Sequence, residues 1–281
     1  MRRFALGRAL PSTRPSRLRK PDPVVTTPGP TLVLASPCCG HLHSRQTFKS
    51  VNAGVEILWS DGKLDARLLP ELPKIARCSG CSRLFWVDDA AEVGRIDDPF
   101  YRSIRGEPPQ DVAPEWKRAP SIRAPDTDVL AEAITDPCCA ARERRRHVRI
   151  ALWHSLNQPR RKLPGNPQWE KFWKPYWEHY GAEFEQRYGA LFAPNLEALL
   201  EFFEEADPDD RLQKAEALRE LGRFEACIRL LDSGFDEPLG FYARQMRQRA
   251  LAGDDAVFRL DWPPQEYADP PQCQGAARQI H

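Results

Sequence analysis

Two short stretches decide how this chain is read: Ser36-Pro37-Cys38-Cys39-Gly40-His41 and Cys78-Ser79-Gly80-Cys81. Two thiolates three positions apart in a tight turn can both face one tetrahedral ion, and Gly80 eases that turn. The upstream stretch departs from this spacing. Cys38 and Cys39 are adjacent, and neighbouring side chains converge on one ion only where the backbone bends sharply. His41, three places beyond Cys38, and His43 are alternative ligands. The favoured set is Cys38, Cys39, Cys78 and Cys81, with His41 as the substitute for one of the first pair. Four thiolates leave no open position for substrate or water, so the zinc they imply is structural. So small a unit buries too little core by itself, and metal binding would supply much of its folding free energy.

The surroundings of the two turns are β-prone. Thr31–Ala35 leads into the first, and Leu84-Phe85-Trp86-Val87 follows the second. Between them, Val55–Trp59 and Leu64–Leu69 flank Ser60-Asp61-Gly62-Lys63, where Gly62 accepts the positive φ of a tight hairpin. Residues 31–95 therefore read as a small zinc-ribbon-like β module whose inserted hairpin fills the gap between the cysteine turns. Residues 1–30 read as a disordered, basic, Pro-rich tail, closing on Pro28-Gly29-Pro30. Its first 20 residues hold six arginines and one lysine without an acid, but Pro11 and Pro15 interrupt the helix a transit peptide needs.

Residues 96–136 carry Pro99, Pro108, Pro109, Pro114, Pro120 and Pro125 and read as a linker. Residues 137–281 read as all-helical. Asp136-Pro137 is a cap and first-turn proline for a helix running to Leu156, and Asn195 is a natural cap for Leu196–Ala206. Short helices are expected over Arg211–Leu221, Phe224–Asp232 and Pro238–Ala252. Trp169, Phe172, Trp173, Tyr176, Trp177, Tyr180, Phe184, Tyr188 and Phe192 recur at helical spacing, a stripe expected to pack in the core. The fold class is α+β: a zinc-stabilised β module, then a helical domain.

Two resemblances sit on these residues. Ser36-Pro37-Cys38-Cys39-Gly40, Ser50-Val51-Asn52, Glu56, Trp59-Ser60-Asp61-Gly62 and the later cysteine pair resemble a group of uncharacterised bacterial proteins with a Cys-Cys-Gly motif, a Trp-Ser/Thr-Asp-Gly motif and a short-spaced cysteine pair. That resemblance implies that Cys38 and Cys39 both bind metal, and it implies no activity. Leu218–Ile228 resembles the inner turn of a tetratricopeptide repeat, with Gly222 closing one helix and Cys227 at the small position where the next one crosses. It implies a surface that binds proteins or peptides.

Composition narrows the function classes. The 281 residues hold 41 Lys and Arg against 40 Asp and Glu, so the chain as a whole is no polycation. With 41% hydrophobic residues a core is available, and no apolar run reaches the roughly 20 residues of a membrane span, so no membrane partner is expected. Eight scattered cysteines argue against a disulfide scaffold and for the cytoplasm. Charge is uneven: residues 140–162 have eight bases against Glu143 alone, whereas residues 190–281 have ten bases and eighteen acids. Cys138-Cys139 lacks spaced companions, and no Ser, Cys or carboxylate is obviously poised beside His147 or His154 for catalysis. The leading expectation is a non-enzymatic protein-interaction module. The alternative is nucleic-acid binding through Arg142, Arg144, Arg145, Arg146 and Arg149. An enzyme with a cleft between the two parts comes last.

Overall fold

A computed structural model describes residues 27–50, 57–65, 72–162, 167 and 169–261. Residues 1–26 of the expected tail, and everything after Asp261, lie outside that description. The described strands are β1 (Thr27–Ala35), β2 (Leu42–Ser50), β3 (Ile57–Trp59), β4 (Leu64–Asp65), β5 (Ile75–Arg77), β6 (Leu84–Trp86), β7 (Ala91–Ile96) and β8 (Arg259–Leu260). The helices are α1 (Pro99–Ile104), α2 (Pro114–Lys117), α3 (Thr127–Ala133), α4 (Arg142–Leu156), α5 (Lys174–Leu200), α6 (Pro208–Glu220), α7 (Phe224–Leu231) and α8 (Leu239–Leu251). The chain is thus mixed, with small antiparallel sheets first and helices after.

β1 is the centre of a three-stranded sheet, flanked by β2 and β7, with Leu34 facing His43 on one side and Glu92 on the other. The β5–β6 hairpin packs beside it, and Leu32, Leu34, Ala76, Phe85 and Val87 bury one shared core. β1 begins earlier than expected, because Thr27–Pro30 belongs to the strand and not to the tail. Two prolines remove amide donors from that end. Side chains of β2 hold this end by other bonds: Gln46 Nε2 donates to the Gly29 carbonyl at 2.8 Å and Thr47 Oγ1 to that of Pro30 at 2.6 Å.

The turn at Asp61-Gly62 forms as expected, with Gly62 at φ +82° joining β3 to β4. Its setting differs from the expectation. β3 pairs with β8 from the other end of the chain, through Leu58 opposite Leu260, instead of joining the sheet that carries the cysteine turns. The expected linker is largely structured. Asp126 caps α3 by accepting from the Val129 amide, and the chain at Pro120–Ile122 bonds to Ser44 of β2. Trp116 of α2 lies so close over Gly94 of β7 that a Cβ there would meet its ring at 1.9 Å.

Two helical cores follow. In the first, Leu152, Trp153, Leu156, Leu196 and Leu199 of α4 and α5 pack against Leu130 and Ala133 of α3 and against Ile75, Leu84 and Trp86 of the β5–β6 hairpin. The module and the helices therefore share a core. In the second, α6, α7 and α8 enclose Leu212, Ala215, Cys227 and Met246, with Leu260 of β8 added. Cys227 is fully buried, as the packing role required, and Gly222 takes φ +72° between α6 and α7.

Two local expectations are overturned. Asn195 caps no helix: α5 runs through Pro194 and Asn195 to Leu200. The Asn195 amide is spent on α4, donating to the Arg149 carbonyl and accepting from its guanidinium. The aromatic stripe is only partly core. Phe184 and Phe192 are buried, but α5 has 27 residues against 15 in α4, and Phe172, in the helical turn Trp169–Trp173 before it, and Tyr176, near its start, are 63% and 56% exposed.

Candidate metal centre

The β1–β2 connection is a sharp loop. The Gly40 amide donates to the Ser36 carbonyl and the Ser36 amide to that of His41, each at 2.9 Å, with Gly40 at φ +72°. This bend lets the adjacent Cys38 and Cys39 side chains face the same way. The β5–β6 turn mirrors it, with the Ser82 amide donating to the Cys78 carbonyl and the Cys78 amide to that of Arg83, each at 2.8 Å. Shared burial of Leu34, Ala76 and Phe85 holds the two turns opposite one another.

The result brings together the four thiols that the sequence singled out. The Sγ atoms of Cys38, Cys39, Cys78 and Cys81 all lie within 4.8 Å of one another. Cys38 and Cys81 approach to 3.3 Å, Cys39 and Cys78 to 3.5 Å. In a tetrahedral thiolate site with bonds of 2.3 Å, sulfurs stand about 3.8 Å apart, so the donor set fits such an ion. Among the described residues no imidazole joins the cluster. His41 instead lays its ring over Gly80, whose missing Cβ would sit 2.7 Å from the His41 Cγ, and meets the ring of His43 edge-on at 5.4 Å. His43 is buried, with Nε2 lacking a hydrogen-bond partner, and packs on Phe85.

The cluster's electrostatics are uneven. Burial pushes the Cys78 thiol up, but the Ser36 hydroxyl at 3.4 Å, the neighbouring His43 and nearby amides outweigh it and bring the group down to about 5. Cys81 goes the other way: the Arg83 amide favours its thiolate, but crowding by Cys38, Cys39 and Cys78 raises it to about 12. Four anionic sulfurs this close repel one another, and a divalent cation is the group that removes the conflict. Cys38, Cys39 and Cys81 are not buried, so the ion would sit at the surface with Cys78 beneath it.

Other candidates resolve differently. Among the described residues no third ligand joins Cys138 and Cys139, whose sulfurs are 3.6 Å apart in a short helical turn. Arg144 bridges to Asp89 at 2.6 Å, Arg146 pairs with Asp210, Arg142 donates to the Glu201 carbonyl and Arg149 to Asn195. Much of the basic helix face is therefore bonded within the chain.

Sequence reasoning missed a second polar centre, although the Trp59-Ser60-Asp61-Gly62 motif was its signal. Asp61 is buried and accepts from Arg161 and from Asn157 Nδ2 at 3.0 Å, while its carbonyl accepts from His154 Nε2 at 2.9 Å. Asn157 also donates to both oxygens of buried Glu220, which accepts from Trp153 Nε1 at 3.0 Å. Ser60 Oγ accepts from the Phe258 amide, and Trp59 Nε1 donates to Asp65 at 2.7 Å. Burial holds the His154 imidazole below its usual range, so the ring is neutral and its Nε2–H serves the Asp61 carbonyl. The motif is a latch between the hairpin, α4, α6 and β8. Among the described residues no helix is long and apolar enough to cross a membrane. Comparison with protein-family models, with curated proteins and with solved structures finds no match to this chain.

Proposed function

We propose that this chain is a non-enzymatic protein-interaction module built on a structural zinc ion, with Cys38, Cys39, Cys78 and Cys81 as its ligands. The observation that carries the reading is the meeting of four sulfurs from two distant turns within 4.8 Å of one another. Soft thiolates in a tetrahedral arrangement select zinc over harder divalent ions, and four of them fill its coordination shell. The ion supplies cross-linking and charge neutralisation; the turns around Ser36 and Ser82 supply the geometry. Free thiols in this number suit a reducing compartment such as the cytoplasm.

The helical part is the interaction surface. The α6–α7 hairpin has the tetratricopeptide-like turn, and the start of α5 with the helical turn Trp169–Trp173 before it offers exposed Tyr176 and Phe172, the side-chain type that interface hot spots use. The paired arginines of α4 give less support to the nucleic-acid reading.

Metal analysis tests the first half of this proposal. One zinc per chain in the wild type and none in the Cys78→Ser/Cys81→Ser variant is expected; a fully folded, metal-free wild type overturns it. For the second half, Phe172→Ser/Tyr176→Ser leaves the core untouched and should lose a protein partner that the wild type retains. Identical partner recovery, or turnover of a substrate by the purified chain, overturns it.

A further inference from the structure

A cleft of about 500 Å³ lies where the β5 segment, the chain before α3 and one face of α4 meet. Its α4 wall consists of His147, Ala151, His154, Ser155 and Gln158, spaced as one stripe of the helix and its continuation. Its other walls are Lys63, Lys74 and an apolar patch that includes Ile75, Pro125 and Leu130. Among the described residues no aspartate or glutamate lines it.

The basic groups fall into two ends. Lys74 is the cation that acts most on His147. At the other end Lys63 donates from Nζ to Gln158 at 3.0 Å, and His154 there is bonded to the Asp61 carbonyl. His147 and His154 are seven residues apart on one helix, so the two ends are separated by about 10 Å. Between them stands Ala151, the smallest side chain that keeps a helix regular, and it leaves the middle of the cleft open against the apolar patch. Asp88, 2.9 Å from Lys74, and Asp65, 3.8 Å from Lys63, stand outside the lining and offset part of each charge. Clefts of this size at the meeting of two structural parts are the usual seat of small ligands.

We infer that this cleft binds an elongated small dianion, with one carboxylate or phosphate at Lys74 and His147, the other at Lys63, and an apolar body across Ala151. The inference is independent of the zinc reading, since none of these residues is a sulfur ligand.

Calorimetric titration of the full chain tests it with octanedioate, its bisphosphonate analogue octane-1,8-bisphosphonate, and octanoate. One of the two dianions should bind at one site per chain, roughly tenfold or more tighter than the monoanion, and the better one names the head group. Lys63→Gln and Lys74→Gln should each weaken that binding by roughly three- to tenfold. Ala151→Leu should abolish it by filling the middle without changing any charge. Absence of saturable binding by both dianions, equal affinity for octanoate, or binding unchanged in both lysine variants overturns the proposal. The lysine variants keep the test decisive if Ala151→Leu fails to fold.

Discussion

The four-sulfur cluster and the Asp61 latch solve the same problem by opposite means. Each joins segments distant in sequence through polar groups. The cluster gathers four sulfurs that repel one another as thiolates, and a bound cation would stabilise its closure. The latch buries opposite charges and hydrogen-bond partners together: Asp61 with Arg161 and Asn157, and Glu216 with Arg219 at 2.6 Å nearby. The first is a conditional joint and the second a permanent one. A domain edge held by an ion can be opened without disturbing the separate core of α6–α8, whereas the hairpin held by Asp61 is fixed to α6.

The largest effect tests that asymmetry. Chelation of the metal, or Cys78→Ser/Cys81→Ser, should unfold the turns and the sheet they brace, because structural zinc is worth about 10–16 kcal/mol of apparent binding free energy. Hydrogen exchange should show amides of β1, β2, β5 and β6 losing protection while α6–α8 keep theirs. Equal loss across all elements would show the two joints to be one cooperative unit.

The latch should break in the other direction. Asp61→Ala leaves the Arg161 guanidinium buried without its carboxylate and should cost about 3–5 kcal/mol in denaturant unfolding. Zinc content should stay at one per chain. The double variant Asp61→Ala/Arg161→Met should recover much of the loss, since the stranded charge, not the missing bond, is the main penalty. A double variant as unstable as the single one would place the stability in the pairing itself.

These two joints were not equally visible beforehand. Metal ligation has a spacing rule, so Cys78 and Cys81 announce themselves, and adjacency of Cys38 and Cys39 required only a sharp bend to be useful. A buried ion pair has no such rule. The turn at Gly62 was legible from local chemistry, but Ser60 meets the Phe258 amide across 198 residues, and Asp61 meets Arg161 across 100. Asn195 carried a true capping signal that lost to bonds with Arg149. Prolines at 28 and 30 looked like a tail because the side chains that tie this end down, Gln46 and Thr47 on the Gly29 and Pro30 carbonyls, sit in another strand. The aromatic period was read correctly as helical; its burial depended on α5 outrunning α4, which no pattern within the stripe encodes.

A smaller effect distinguishes the latch's carboxylates. Burial, with Glu216 and Asp61 nearby, raises the Glu220 carboxyl well above its usual range. Between the unfolded value and the folded one, the folded chain holds a proton that the unfolded chain has lost, so stability falls as pH rises through that window. Glu220→Gln removes this titration while keeping an acceptor for Trp153. Relative to the variant, the wild type should lose up to about 1.4 kcal/mol per pH unit as pH rises above the usual carboxylate range. Parallel stability curves from pH 5 to pH 8 would mean that Glu220 is ionised in the fold and that Trp153 and Asn157 alone satisfy it.

The smallest effect lies between the two joints. Arg144 bridges α4 to Asp89, which follows β6, at 2.6 Å, and covers Trp86 with its guanidinium 5.1 Å from the ring centre. Both partners are partly exposed, so the pair is screened and worth at most about 1 kcal/mol. Arg144→Ala should therefore shift global unfolding only slightly, by an amount that shrinks in high salt. If module and helices act as separate units, the variant should instead speed exchange at β5 and β6, whose hairpin shares a core with α4, without touching α6–α8. A uniform change in protection would mean that the shared core around Trp86 and Trp153, and not this surface bridge, carries all the coupling.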